Sequence, residues 1–256
     1  MNYNVLLNEQ RRLMIDVSYK ARQGHLSSSM SILEVVNILY HEIMNFNPQE
    51  PNAFSNDRFI LSKGHAALSL YCLYYQLGII SKEELYSYSK FDSILGEHPD
   101  RNKVPAVDVS TGSLGHGLPN AVGMAIGFKA QKLDNKVFVM IGDGEANEGT
   151  NWESAYVADK MGLNNLVCIV DDNDSASHTP DLGSKFASFG WEVRTINGNN
   201  IDEVREALSR PSEKPLFIWA HTIKGHGCSL MEADPEGWHH RVINDVEYNQ
   251  LMEELK

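Results

Sequence analysis

The chain has 256 residues, enough for one α/β domain with a well-buried core. Its 22 Lys and Arg against 34 Asp and Glu give a net charge of −12, which argues against nucleic acid or an anionic membrane as partner. No apolar run approaches the ~20 residues of a membrane span, the N-terminal stretch lacks the basic-then-apolar layout of a signal peptide, and the widely spaced Cys72, Cys168 and Cys228 fit buried thiols in a reducing cytoplasm rather than disulfides or a zinc site.

Helical spacing opens the chain from about Leu7 to Ala21, with Leu6, Leu13, Ile15 and Val17 as apolar positions. A second helix is predicted from about Met30 to Met44, and its broad apolar stripe predicts deep burial. A short strand follows at Arg58–Ser62, then a helix from His65 to Leu77 that stops at Gly78, and a short one from Lys82 to Ser89. Lys136–Ile141 and Asn165–Val170 are near-continuous apolar runs, the pattern of strands buried on both faces. Between them, Asn147 to Met161 has helical spacing, which makes a βαβ unit. A strand at Trp191–Ile196, a helix at Ile201–Leu208, a strand at Leu216–His221 and a final helix at Asp245–Leu255 complete the pattern. This alternation predicts a doubly wound, mostly parallel sheet flanked by helices, in a single domain over residues 1–256.

The two central runs end in Gly142-Asp143-Gly144 and Asp171-Asp172-Asn173. Ligands of open α/β sheets bind at the C-terminal strand edge. Asp143 and Asn173 are thirty positions apart, room for a helical crossover that sets the strand ends side by side. One carboxylate and one amide oxygen form a hard-oxygen pair suited to Mg²⁺, which completes its octahedron with phosphate oxygens and water. Gly142 and Gly144 let backbone approach that phosphate. Glu148 is predicted in the first turn of the next helix, where the dipole favours its charge.

Gly142-Asp143-Gly144-Glu145 followed by Asn173 resembles the thiamine diphosphate fingerprint. The surrounding landmarks narrow the resemblance to the transketolase family. They are Gly24-His25, Ser62-Lys63-Gly64-His65-Ala66, Gly96-Glu97-His98-Pro99, Ser110-Thr111-Gly112-Ser113-Leu114-Gly115, Phe189-Gly190-Trp191, Thr222-Ile223-Lys224-Gly225-His226-Gly227 and Trp238-His239. Within the family, the chain is similar to the N-terminal half of split, two-subunit transketolases.

The resemblance implies that Asp143, Asn173 and the carbonyl of Ser175 hold Mg²⁺, with Ca²⁺ or Mn²⁺ as substitutes, and that the metal holds the diphosphate of thiamine diphosphate. It implies diphosphate contacts from His65, Gly144 and His239, and a cradle at Gly112, Ser113 and Leu114. His25 and His98 match positions that address the sugar phosphate, and His25 and His239 positions that handle hydroxyl protons. Glu148 matches an acidic position at the subunit interface. Breaking the C2–C3 bond of a ketose requires its C3 hydroxyl to lose a proton, and a base near neutrality such as His suits that task. His41, His116, His178, His221 and His226 are read as surface or packing residues.

The family's catalytic glutamate belongs to a second, pyrimidine-binding domain, and the sequence stops at Lys256 after the first. A separate C-terminal subunit is therefore expected, in a heterotetramer with two copies of each chain, inactive without that subunit. Two departures stand out. His240 replaces the family's usual Gly. The loop Asp174–Gly183 is short and polar, with Ser177 where an Ile packs on the thiazolium, a change expected to weaken cofactor packing and to reshape the donor site towards a specialised sugar, or a modified ketose phosphate or sulfonate. Two other readings are a decarboxylating subunit of a 2-oxo acid dehydrogenase, against which the His set argues, and a non-catalytic protein that kept the fold.

Overall fold

Along the strands, alternate side chains point to opposite faces, and in this chain both faces are apolar. The computed structural model describes residues 2–174 and 181–256. Its strands are β1 (Arg58–Leu61), β2 (Val137–Gly142), β3 (Leu166–Asp172), β4 (Glu192–Asn197) and β5 (Leu216–His221). They pair in parallel in the order β1-β2-β3-β5-β4. Every residue of β2 and β3 is buried. Phe59, Phe138, Met140, Ile169 and Ile218 supply one core, and Ile60, Val139, Ile141, Cys168 and Phe217 the other. Each large apolar side chain among them contributes about 1.5–3 kcal/mol on burial.

The first core is covered by α1 (Tyr3–Ala21), α2 (Leu26–Met30), α3 (Leu33–Ile38), α4 (Ala67–Gln76) and α5 (Lys82–Leu85). The second is covered by α6 (Gly117–Ala130), α7 (Gly149–Lys160) and α8 (Leu182–Ser188). Next come α9 (Ile201–Ser209), α10 (Ser229–Ala233) and α11 (Asp245–Glu254), which pack on the first face through Val204, Met231 and Leu251. The doubly wound parallel sheet expected from the sequence is present. The three cysteines are buried and free.

Some elements differ from expectation. The helix expected over 30–44 starts only at Leu33, as α3, and ends in a π-helical turn at Leu39–Ile43, with α2 as a separate short helix before it. Ser29 and Ser31 direct their hydroxyls to the carbonyls of His25 (3.3 Å) and Ser28 (3.0 Å), side-chain bonds that compete with regular helix. The helix expected at Lys82–Ser89 stops at Leu85, despite a capping box from Ser81 and Glu84, and Ser89 is left-handed at φ 57°. Helix α6 has no counterpart in the expectation, and neither do α8 and α10. Gly117, Pro119, Gly123 and Gly127 obscure α6 as a propensity signal, yet Leu118, Ala121, Val122, Ala125 and Phe128 still build a buried face.

Candidate functional site

The register of the sheet brings the chemistry to one edge. Leu61 pairs with Met140, Gly142 with Asp171, and Asp172 with His221. The residues that follow these ends, Lys63 and His65 after β1, Asp143 after β2, Asn173 after β3 and Lys224 after β5, therefore meet. They line a cavity of about 160 Å³ together with Ser28, Leu114, Gly144, Glu145 and His239.

The buried carboxylate of Asp171 organises one side. It accepts from Lys63 Nζ, from Ser31 Oγ at 2.9 Å, from Thr222 Oγ1 at 2.5 Å and from Asn173 Nδ2 at 3.0 Å. The last bond fixes the amide of Asn173, because only its nitrogen donates. The opposite atom, Asn173 Oδ1, is buried without a hydrogen-bond partner among the described residues. A buried amide oxygen left unpaired costs about 1–3 kcal/mol. A hard cation beside the buried carboxylate of Asp143 relieves that cost, so the donor set fits Mg²⁺. Asp143 also accepts from Gly144 N at 2.8 Å, which shapes the turn. Ser175, the third expected ligand, lies outside the described residues.

On the other side is a group of imidazoles. The His25 ring centroid is 5.4 Å from that of His65 and 5.6 Å from that of His239, and His65 and His239 are 6.3 Å apart. Burial, then the positive charge of Lys63, pushes His65 far below the ordinary histidine range. Burial, then the neighbouring His240 and His239, lowers His25 to about 4. His239 is lowered by burial and by Lys224, whose Nζ sits 2.9 Å from its Nδ1. All three are neutral at pH 7. A protonated Lys224 only donates, so His239 Nδ1 accepts and Nε2 carries the hydrogen. Lys224 is itself buried and lowered by desolvation and by Lys63. Such a site favours an anion.

His98 packs over the Gly112 turn. Gly112 has φ +134°, and a Cβ there would lie 3.1 Å from His98 Cδ2. Ser113 and Leu114 are exposed on that turn. Glu148 is not brought into the cavity. It is the exposed N-cap residue of α7 rather than a first-turn residue, and its side chain makes no cap bond. Glu145 occupies the buried place instead, accepting from Ser62 Oγ, Gly115 N (2.9 Å) and Gly142 N (3.2 Å), with its carboxyl raised by burial. Sequence reasoning gives no role to Ser28, Lys63, Glu145, Asp171 or Lys224. Lys63, Glu145 and Lys224 lie inside the quoted motifs, and that position is their available signal. His226 lies between Glu34 and Glu232, and His221 beside Asp172, as packing or surface residues.

Comparison with known proteins supplies the family. The profile described as "Transketolase, thiamine diphosphate binding domain" matches residues 3–255. The chain is 38% identical over 257 residues to one subunit of an apulose-4-phosphate transketolase from Actinobacillus succinogenes, covering 96% of this chain and 93% of that one. It is 35% identical over 236 residues to a 6-deoxy-6-sulfo-D-fructose transketolase subunit from Clostridium sp., covering 88% and 86%. The fold superposes on transketolase from Campylobacter jejuni with a TM-score of 0.92 at 27% identity, covering all of this chain and 43% of the longer one. On this sequence match and this fold, the chain belongs to the transketolase family, of which it is the N-terminal, thiamine diphosphate-binding domain.

Proposed function

We propose that the chain is the cofactor-binding subunit of a two-chain transketolase, moving a two-carbon ketol unit from a ketose donor to an aldose phosphate acceptor. One observation carries the reading: the orphaned Oδ1 of Asn173 beside Asp143, at the ends of adjacent parallel strands. Asp143, Asn173 and Ser175 would hold Mg²⁺, or Ca²⁺ or Mn²⁺ in its place. His65, Gly144, His239 and the Gly112-Ser113-Leu114 turn would hold thiamine diphosphate, with Lys224 as a further cationic contact to the diphosphate. The bound cofactor supplies the electron sink for breaking the C2–C3 bond.

This chain's residues do the rest. Neutral His65 binds as a donor rather than as a cation. His239 presents its Nε2 hydrogen, held in that tautomer by Lys224. His25, unprotonated at neutral pH, accepts a proton from a substrate hydroxyl, and His98 addresses the sugar chain. Glu148, exposed at the start of α7, is left to meet the second subunit.

The near-full-length match to relatives named as transketolase subunits supports a separate C-terminal partner and one cofactor-binding domain here; two copies of each chain are proposed for that assembly. The donor is proposed to be a specialised ketose phosphate or sulfonate, in keeping with the substrates those relatives are named for. The test is reconstitution of the chain with its C-terminal partner. Transfer from ketose phosphate donors, absent from either chain alone, is the expected result. Turnover of pyruvate alone would point to the 2-oxo acid reading instead.

A further inference from the structure

Just outside the cofactor cavity, three backbone segments bring His25, Glu97 and His240 together. Each offers a ligand atom, and the three atoms lie within 4.8 Å of one another. His240 Nε2 is 3.8 Å from Glu97 Oε1, too far for a hydrogen bond. The His25 and His240 rings stand edge to face at 4.4 Å. In a tetrahedral zinc site, with bonds of about 2.1 Å, ligand atoms sit about 3.4 Å apart, so side-chain shifts of about 1 Å close the set.

The two histidine-bearing segments are fixed to each other. Ser27 Oγ donates to the Trp238 carbonyl at 2.9 Å. Gly24 lies so close to His240 that a Cβ there would stand 2.8 Å from the carbonyl carbon and oxygen of His240. His25 is held at φ 57°, and its buried Nδ1 has no hydrogen-bond partner among the described residues. Burial keeps this imidazole unprotonated at neutral pH, the form that ligates metal.

We propose that His25, Glu97 and His240 form a site for a divalent transition-metal ion, separate from the hard-oxygen pair Asp143 and Asn173. Two imidazoles and one carboxylate, with a fourth position open, suit Zn²⁺ rather than Mg²⁺. His25 also faces His65 and His239, so zinc on its ring withdraws it from the sugar. Zinc is then a reversible inhibitor, a consequence that rests on the transketolase reading, whereas the site itself does not.

The test titrates the full chain, free of thiamine diphosphate, with Zn²⁺ against a chromogenic chelator. One tight equivalent is expected, and Co²⁺ in its place should give the intense visible bands of a tetrahedral site. His240→Ala and Glu97→Gln should each weaken Zn²⁺ by about tenfold or more and leave Mg²⁺-dependent diphosphate binding unchanged. Zinc affinity equal in the wild type and both variants, or a weak octahedral Co²⁺ spectrum, would overturn the site. With the partner subunit present, zinc should inhibit the wild type reversibly and spare His240→Ala. Side-chain-dependent zinc binding in a complex without transfer activity would keep the site and count against the transketolase reading.

Discussion

At Asp171 one carboxylate holds Lys63, Ser31, Thr222 and Asn173, and this is what turns the amide of Asn173 to the orientation the proposed metal site needs. Asp171→Ala strands the buried ammonium of Lys63, and loss of one partner of a buried pair costs about 3–5 kcal/mol. Chemical denaturation should read that loss, and Mg²⁺ binding should weaken with it. Glu145→Ala takes the acceptor from the Ser62 hydroxyl, which keeps only its bond from Gly117 N, and from two backbone N–H groups, a cost of about 3 kcal/mol by the same measurement. The depressed histidines make a pH prediction for the cofactor-free chain. Unfolded, they take up protons below about pH 6.5; folded, His25 does so only near 4, and His65 and His239 are also lowered. The unfolded state therefore binds more protons in that window, and stability falls as pH drops from 6.5 towards 4. The thermal midpoint should fall between pH 7 and pH 5, and fall less in His65→Gln. Asp143 and Asn173 are legible in the sequence because each follows a recognisable strand, and His65 because it lies in a motif that matches the family. Asp171 and Lys224 are not, since their roles depend on partners 108 or 15 positions away in the chain. Spacing does not reveal that Glu145 rather than Glu148 is the buried carboxylate.

Among the elements, the buried strands are the most legible, since β2 and β3 are apolar on both faces and the alternation of cores follows from the pleat. The broken helix after His25 is not. A continuous apolar stripe runs through a serine-rich stretch whose hydroxyls bond the backbone and reach Asp171. Helix α6 is hidden by its glycines, and its existence rests on packing against β2 rather than on propensity. The loop bearing His25 leans on the segment bearing His239 and His240. Gly24→Ala places a methyl 2.8 Å from backbone atoms of His240, so one segment has to move, at a cost of about 2 kcal/mol. The same displacement should weaken cofactor binding, because His25 and His239 share the cluster. A denaturation curve and a cofactor titration on this variant check both halves.

For the whole molecule, the sheet edge assembles the cavity proposed to hold the diphosphate from four strand ends, and the chain's net charge of −12 does not oppose that. In the proposed complex, Lys224 and a bound cation would neutralise the diphosphate locally. The chain spans 43% of a one-chain transketolase, and the rest of the reaction is proposed to lie on the partner. Whether this edge binds a metal-held diphosphate through Asp143 and Asn173 is decided by calorimetric titration of the chain with thiamine diphosphate. Saturable binding is expected with Mg²⁺ present, lost with a chelator and lost in Asp143→Ala. Binding that is indifferent to metal and to Asp143→Ala would contradict that assignment.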